Sequence, residues 1–447
     1  MASAAEQLAQ SMNWGAFSKA TELKKRLWFT LGALVVYRIG TYIPIPGIDP
    51  GILREIFESQ RGGILGMFDM FSGGALGRMT LFALNIMPYI TASIIIQLMT
   101  AVSPTLETLK KEGEAGRKTL NQYTRYLTLF LAIFQSFGIA VGLEGMQGSV
   151  GGAVIDPGMA FRFTCVVTLT GGTMFLMWLG EQITQRGVGN GISLIIFAGI
   201  IANLPSALGA TLEMGRTGAL STFVILVLLV MSVLVVMAIV FIERAQRRII
   251  VQYPKRQVGN KMFGGESSHL PLKLNTSGVI PPIFASSLLL LPLTFANFNQ
   301  NDEIAWLSWL TTNLAHGQPA YILLYIFLIV FFAFFYTAVV FNPAETADNL
   351  KKYGGFVPGI RPGKNTADYL DYVLTRLTVL GAGYLAAICV LPEILISQYA
   401  VPFYFGGTSL LIVVSVTMDT VAQVHSHLLA HQYEGLIKKS KLRGARR

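Results

Sequence analysis

Runs of about 20 consecutive apolar residues recur along this 447-residue chain, and they limit its possible folds more than any other feature. A helix of that length, rising about 1.5 Å per residue, crosses the roughly 30 Å hydrocarbon core of a bilayer. Apolar residues make up 53% of the sequence and charged residues only 13%, which is rare in soluble proteins. Because unpaired backbone amides are costly in lipid, we predict that these runs are transmembrane helices.

The pattern predicts an all-α integral membrane protein with about ten transmembrane helices. The predicted spans are residues 27–43, 76–101, 123–142, 162–184, 191–209, 219–242, 274–294, 319–341, 373–392 and 405–427. The N-terminal residues MASAAEQLAQ lack the basic and then apolar pattern of a cleavable signal. We therefore expect the first span to direct membrane insertion.

Basic residues alternate between the two ends of the predicted spans, and this alternation predicts an orientation. The net charge is +10, and most of the 34 lysines and arginines fall in the N-terminal segment, in every second loop and in the C-terminal tail. The opposite loops hold Arg54, Arg61, Arg78, Arg162 and Arg216. By the positive-inside rule, both termini are predicted to be cytoplasmic, and the charge indicates membrane orientation rather than nucleic-acid binding.

An even number of spans with both ends on one side divides near residue 213 into two five-helix halves. Because five is odd, the halves would be inverted relative to each other in the membrane. The predicted segments are a cytoplasmic N-terminus at 1–26, a first half at 27–212, a second half at 213–427 and a basic cytoplasmic tail at 428–447.

No motif for catalysis is evident in the sequence. It contains no GxxxxGK[ST], HExxH or GxSxG pattern, and the GVGNGI segment at 187–192 reads as a tight turn between two spans rather than a phosphate loop. Cys165 and Cys389 are predicted to be small core side chains. We expect no enzymatic activity, no metal site and no cofactor.

Few ionisable residues lie inside the predicted spans. Arg38 is near the outer end of the first span, where it is expected to extend to the membrane surface, Glu181 is close to a cytoplasmic end, and Asp419 is in the inner half of the tenth span. A proton or sodium relay would need more such groups. A passive pathway that other proteins open and drive fits this sequence better.

Two predicted cytoplasmic loops, 243–273 and 342–372, are longer than the usual connection of about 4 to 6 residues. The first reads ERAQRRIIVQYPKRQVGNK, and its alternating apolar residues predict a hairpin projecting into the cytosol. The second is rich in Pro and Gly, which predicts a structured but irregular loop. Both loops could serve only to bind anionic lipids, but their length favours a partner as well.

A Gly-rich apolar stretch, GGILGMFDMFSGGALGR at residues 62–78, lies between the first two spans and is too short to cross the membrane. It is predicted to be a re-entrant half-helix buried in protein. The alternative is an amphipathic helix on the outer surface.

This stretch, together with IMPYITASIIIQL at 86–98, closely resembles the plug and second span of the SecY family of protein-conducting channels. Four further stretches resemble that family in matching order, namely GNGISLIIFAGI, LPLKLNTSGVIPPIFASS, PGIRPG and GGTSLLIVVSVTMD. The resemblance implies a channel subunit that translocates unfolded preproteins across, and releases membrane segments laterally into, the bacterial cytoplasmic membrane. The alternative from another class is an inverted-repeat secondary solute transporter, which would need a compact polar site at the midplane.

The resemblance also implies four groups of site residues. An apolar pore ring corresponds to Ile86, Ile90, Ile196, Ile200, Ile283 and Ile412. A re-entrant plug within 62–75 corresponds to Ile64, Leu65, Phe68, Met70, Phe71, Gly73 and Gly74. Polar residues of a lateral gate correspond to Gln97, Asn275, Ser286 and Ser287, and the alternative is that they only form hydrogen bonds between neighbouring helices. Cytoplasmic docking residues correspond to Arg247, Arg248, Lys255, Arg256 and Arg361.

The partners implied by the resemblance fall into three groups. The SecA motor ATPase or a ribosome would dock on the basic loops, and the small membrane subunits SecE and SecG would lie beside the channel. Preprotein signal sequences would enter the lateral gate. Anionic lipids would contact the basic segments.

Overall fold

Helices make up most of the computed structural model. The residues that the structure describes are 21–59, 69, 72–145, 151–218, 221–253, 256–258, 261–263, 267–298, 318–399 and 407–444. The described helices, in chain order, are α1 Thr21–Gly40, α2 Pro50–Ser59, α3 Met87–Val102, α4 Pro104–Lys111, α5 Glu114–Gly145, α6 Met159–Arg186, α7 Gly191–Arg216, α8 Thr222–Arg244, α9 Ile280–Phe298, α10 Pro319–Val340, α11 Pro343–Lys352, α12 Lys364–Tyr399 and α13 Gly407–Gly444.

Seven helices within the described ranges are long and apolar enough to cross a membrane, among them α5, α6, α7, α8 and α13. The consecutive helices α3 and α4 are bent by 100° at Ser103, and they add an eighth span if the pair is counted as one. The all-α membrane fold is confirmed. The number of ten spans stays a prediction.

The predicted second span begins later than expected. It was expected from residue 76, but α3 begins at Met87, and residues 81–86 form turns. Met79 and Asn85 have φ angles of 44° and 49°, a left-handed conformation that a continuous helix does not contain. Backbone pairing competes with the helix here, because Ile45 donates to the Met79 carbonyl at 3.0 Å and Leu81 donates to the Ile43 carbonyl at 2.9 Å.

Short strands occupy the predicted loop 243–273. They are β1 Gln246–Gln252, β2 Arg256–Val258, β3 Lys261–Phe263 and β4 Ser267–Lys273. β1 pairs antiparallel with β4 along its whole length, and β2 pairs antiparallel with β3. The predicted hairpin is confirmed, and Ile249 and Val251 are buried on one face of β1 whereas Ile250 lies exposed on the other.

The second predicted loop, 342–372, is more regular at its start than expected, because it begins with α11. The Asn342 side chain caps this helix by accepting hydrogen bonds from the amides of Ala344 and Glu345, and Pro343 follows the cap. Residues 353–363 are irregular, as predicted. The pair Asn342–Pro343 is therefore a sequence signal for a helix start, and the sequence analysis did not use it.

The GVGNGI segment at 187–192 is a tight turn between α6 and α7, as predicted. Its amides donate to protein acceptors from three helices: Val188 to Thr30 Oγ1 at 3.0 Å, Gly189 to Gln423 Oε1 at 2.8 Å and Gly191 to Thr184 Oγ1 at 2.9 Å. A phosphate loop needs such amides to point at the ligand instead. The turn amides therefore form hydrogen bonds with α1, α6 and α13 and are not directed at an anion.

The chain forms two compact units. One comprises Met1–Tyr89, Arg125–Pro205 and Val416–Arg447, and the other comprises Ile90–Thr124 and Ser206–Ser415. Cys165 and Cys389 are both buried and are not joined in a disulfide, which confirms that they are core side chains. An apolar cluster in the first unit includes Cys165, Phe161, Leu169, Leu76 and Met79.

Candidate channel and docking elements

The predicted plug lies mostly outside the described residues, including Ile64, Leu65, Phe68, Met70 and Phe71. The end that the structure describes, residues 72–78, is called the plug anchor below. It begins with a tight turn in which Ser72 Oγ and the Gly74 amide both donate to the Asp69 carbonyl, at 3.0 and 2.8 Å. The Gly77 amide donates to Asp69 Oδ1 at 2.6 Å, so one aspartate holds the whole turn together.

Gly73 places the plug anchor against α7. Its φ of +69° is left-handed, and a Cβ added there would lie 3.1 Å from both the Cα and the carbonyl oxygen of Gly199. Gly199 lies on α7 beside Ile200 and one turn after Ile196, two predicted ring residues that are both buried. Two glycines thus let the plug anchor approach the turn of α7 that carries part of the predicted ring.

Phe82 fixes the turn segment that leads from the plug anchor into α3. Its ring stacks between Tyr37 of α1, at 6.1 Å between centroids, and Phe175 of α6, at 5.9 Å. Gly172 of α6 lies against the Leu81 carbonyl, where a Cβ would overlap the oxygen. This wedge sets the position of the residues that follow, including the predicted ring residue Ile86.

Ile86 does not share a helix face with Ile90, because it lies in the turn before α3 and Ile90 lies in the first turn of the helix. Their i, i+4 spacing would pair them on one face of a continuous helix, but the left-handed Asn85 delays the helix start. Ile196 and Ile200 are such a pair, both on α7. Both residues near α3 are nevertheless buried.

The remaining ring residues, Ile283 and Ile412, belong to the second unit. Ile283 is half-buried in the first turn of α9, and Ile412 is buried on α13. One turn before Ile412, the hydroxyls of Thr408 and Tyr325 are 2.7 Å apart and buried, which joins α13 to α10. That bond orients the start of α13 and with it Ile412.

Three of the predicted gate residues make hydrogen bonds within their own helix or at the base of the hairpin. Ser286 and Ser287 donate to the Ile283 carbonyl of their own helix, at 3.0 and 2.8 Å. Asn275 Nδ2 donates to Glu243 Oε1 at 2.7 Å and to the Gly278 carbonyl at 3.0 Å, which closes the turn between β4 and α9.

The fourth gate residue, Gln97, differs from these three. Its Nε2 donates to Ser93 Oγ at 3.2 Å, while its buried Oε1 makes no hydrogen bond within the described chain. A buried acceptor without a donor costs about 1–3 kcal/mol, so Gln97 is suited to accept a bond from a partner.

The two basic loops share one apolar cluster. It contains Ile249 and Leu272 of the hairpin, Val357 of the second loop and Leu370 of α12, all buried. Gln252 and Phe356 also exchange backbone hydrogen bonds at 2.9 and 3.0 Å. The hairpin platform, defined here as β1, β4 and residues 356–357, is therefore a single packed body.

Three of the predicted docking residues lie in or near the hairpin platform. Arg247 and Arg248 are exposed on β1, and Arg361 is exposed between the left-handed Gly359 and Gly363. The Arg361 carbonyl accepts a hydrogen bond from Thr366 Oγ1 at 2.9 Å, which fixes the backbone of that arginine to α12. Arg256 lies on β2, and Lys255 is outside the described residues.

Sequence reasoning missed the two arginines that bond to the Gly73 carbonyl, namely Arg38 of α1 and Arg78 at the end of the plug anchor itself. Arg38 was expected only to extend to the membrane surface, but its Nη1 donates to the Gly73 carbonyl at 2.9 Å. Arg78 reaches the same oxygen, at 3.3 Å. The readable signal was an arginine within an apolar span, which is costly unless it has a partner.

Comparison with known proteins identifies the family. A family model described as SecY matches residues 80–421, more than half of the chain. The chain is 59% identical over 424 residues to the protein translocase subunit SecY of Escherichia coli, which covers 95% of this chain and 96% of that protein. It is 58% identical over 430 residues to the protein of the same name from Rickettsia typhi, covering 96% and 99%. The chain belongs to the SecY family.

Solved structures show the same SecY-family fold. One, described as the structure of a protein conducting channel, has a TM-score of 0.65 at 18% identity and covers 92% of this chain and 93% of its own. Another, described as Sec61 in the canine ribosome-channel complex from the endoplasmic reticulum, has a TM-score of 0.63 at 18% identity with the same coverage. At that identity the likeness establishes the fold.

Proposed function

We propose that this chain is the channel subunit of a bacterial protein translocase, which passes unfolded preproteins across the cytoplasmic membrane and releases membrane segments laterally into it. The observation that carries the proposal is near-full-length identity of 58% and 59% to proteins named translocase subunit SecY. A secondary solute transporter is not favoured, because these relatives are named translocase subunits and the structures with the same fold are described as channels.

We assign the waist of the channel to the six isoleucines of the predicted ring. A constriction lined by branched aliphatic groups excludes water and ions, yet it is soft enough to fit around side chains of any chemistry. The proposal is supported by the burial of Ile86, Ile90, Ile196, Ile200 and Ile412, and by the contact of the plug anchor with α7.

The lateral gate is opened, in this proposal, by the apolar core of a signal sequence. About ten apolar residues at roughly 0.5 kcal/mol each contribute on the order of 5 kcal/mol on insertion scales. A two-state equilibrium moves from 1:99 to 99:1 with about 5.5 kcal/mol. Signal insertion alone therefore suffices to bias a closed gate toward the open state, and the spare acceptor of Gln97 suits such a gate.

The hairpin platform is proposed to be the docking surface for the partner that drives the chain forward, either the SecA motor or a ribosome. The platform presents exposed arginines on a packed body, and the Sec61 structure with the same fold is described in a ribosome-channel complex. Arginine suits bidentate contacts to carboxylates and phosphates. The channel subunit itself then needs no catalytic residues.

The same proposal includes SecE and SecG as membrane partners and anionic lipids around the basic segments. It also keeps the two inverted halves, 27–212 and 213–427, and places both termini in the cytoplasm. The distribution of basic residues supports this orientation.

Reconstitution tests the proposed function. The chain should be co-expressed with its two small membrane subunits, purified as a complex and placed in proteoliposomes with the motor ATPase and ATP. We expect a preprotein to become protected from added protease, and the same protein without its signal sequence to stay accessible. Energy-dependent solute uptake without preprotein protection would instead indicate a transporter.

A further inference from the structure

The carbonyl oxygen of Gly73 accepts hydrogen bonds from two guanidinium groups. Arg38 Nη1, on α1, donates at 2.9 Å, and Arg78 Nη2, five residues along the same segment, donates at 3.3 Å. Hydrogen bonds from charged donors are roughly twice as strong as neutral ones. Two of them on one backbone oxygen mark the point at which the plug anchor is fastened.

Tyr42 organises the two arginines. The Cζ atoms of Arg38 and Arg78 lie 5.0 and 4.4 Å from its ring centroid, within cation–π range. Arg38 Nη2 also donates to the Tyr42 hydroxyl at 3.0 Å, and Arg78 Nη2 donates to the Thr41 carbonyl at 3.2 Å. The end of α1 therefore holds both guanidinium groups in place for the Gly73 carbonyl.

The position of this carbonyl connects the arginines to the predicted waist. Gly73 lies against Gly199 of α7, next to Ile200, so any shift of the plug anchor changes what covers that turn of α7. Tyr37 adds one long hydrogen bond from its hydroxyl to the Ser72 carbonyl, at 3.4 Å. The fastening is thus made of a few polar contacts from side chains rather than of a continuous backbone ladder.

We propose that Arg38 and Arg78 form a releasable arginine clamp on the Gly73 carbonyl, and that this clamp positions the plug anchor over the turn of α7 that carries Ile196 and Ile200. The clamp rests on the proposed channel function and deepens it. Both arginines are positioning residues, because they act through the plug anchor and set the balance between the closed and the open channel. The carbonyl can leave the clamp without any helix having to unfold, which suits a seal that must open and close.

The test uses the full chain in complex with its two small membrane subunits. Arg38→Gln and Arg78→Gln should each raise ion conductance of the idle complex in planar bilayers by roughly tenfold, the equivalent of about 1.4 kcal/mol. Export of a reporter with a defective signal sequence should rise in parallel. The double variant should exceed either single variant by less than the product of their effects, because both donors serve one oxygen.

Matched variants separate the clamp from general damage. Arg54→Gln removes another exposed arginine, on α2, and should leave conductance unchanged. Gly73→Ala should open the channel, since it must displace the Gly199 backbone, whereas Gly113→Ala has a similar left-handed φ of +77° but open space around it and should not. Arg38→Lys keeps the charge with a single point donor, so it should give an intermediate effect.

The outcomes distinguish this inference from the proposed function. If the wild-type complex passes no preprotein, the proposed function is wrong. If it passes preproteins, and the Arg38 and Arg78 variants assemble normally but show wild-type conductance and wild-type rejection of the defective reporter, the arginine clamp is wrong. A rise of equal size in the Arg54→Gln variant would also overturn it.

Discussion

The plug anchor and the hairpin platform are both irregular connections between helices, but they are held in different ways. The plug anchor is fastened by side chains, with two arginines, one aspartate and one tyrosine bonding to backbone groups. The hairpin platform is fastened by a seven-residue strand pair, a further backbone pair at Phe356 and a buried apolar cluster. The difference teaches that side-chain contacts hold one region, whereas backbone pairing and a buried apolar cluster hold the other, which suits the proposed release of the plug anchor and the proposed docking role of the platform.

The stiffness of the hairpin platform depends on its buried face, and two adjacent isoleucines test this. Ile249 is 5% exposed in the apolar cluster, whereas Ile250 is 48% exposed on the opposite face of β1. Ile249→Ala should destabilise the platform locally by about 2–5 kcal/mol, and Ile250→Ala by far less. Hydrogen exchange of the β1 amides measures both, and equal protection in the two variants would contradict a packed platform.

Deletion of the plug segment tests the plug anchor, which is the region proposed to be releasable. Deletion of residues 62–73 removes the proposed seal together with the Gly73 carbonyl that fastens it, and it leaves the hairpin platform intact. We expect ion conductance of the idle complex to rise roughly tenfold or more, a change that corresponds to about 1.4 kcal/mol or more of lost closed-state preference. Unchanged conductance in planar bilayers, with the complex fully assembled, would argue against a re-entrant plug.

A charge reversal on the hairpin side should affect transport without affecting the seal. Arg361→Glu should lower preprotein translocation by about tenfold, because a rigidly presented arginine loses bidentate contacts worth about 1.5 kcal/mol or more. Ion leakage and subunit assembly should stay at wild-type levels.

Lys364→Glu is the matched control for Arg361→Glu, three residues away and of equal charge change. Generic attraction to anionic lipid contributes about 1 kcal/mol per basic residue, so it predicts equal, mild defects in the two variants. Such equality would remove the docking role of Arg361.

The smallest expected effect comes from the waist. Ile412→Asn places an amide at a buried position and should favour hydration of the channel by about 1 kcal/mol, roughly fivefold in the closed-to-open balance. Export of a signal-defective reporter should rise by a similar factor. If the protein accumulates normally and export of the signal-defective reporter does not rise, Ile412 does not line the waist.

The membrane spans and the hairpin could be predicted from the sequence, because both follow from local periodicity. Alternation of Ile249, Ile250 and Val251 indicates a half-buried strand without any knowledge of the partner strand. The late start of α3 could not be predicted in this way. It depends on backbone pairing of Met79 and Leu81 with Ile45 and Ile43, contacts across some 35 residues that leave no local pattern.

The candidate site also contains some residues that the sequence could indicate and some contacts that it could not. Resemblance to the SecY family indicated Gly73 and the ring isoleucines, but the partners of Gly73 are Arg38, Arg78 and Gly199, which lie 35 residues before, 5 after and 126 after it. Apolar patterning gives no information about which carbonyl a guanidinium selects. Asn275 shows the same limit, since its bond to Glu243 joins two ends of the hairpin.

The central claim is that polypeptides pass through a channel whose plug anchor must leave α7. A disulfide between cysteines introduced as Gly73→Cys and Gly199→Cys tests it directly, because a Cβ on Gly73 lies 3.1 Å from the Gly199 Cα and both native cysteines are buried. The reduced double variant is the reference, and it should conduct ions as the Gly73→Ala variant does, because its added Cβ atoms loosen the plug anchor. With the disulfide formed, preprotein translocation into proteoliposomes should stop, and a reductant should restore it to the rate of this reduced reference. Translocation at an undiminished rate through the fully cross-linked channel would contradict the account.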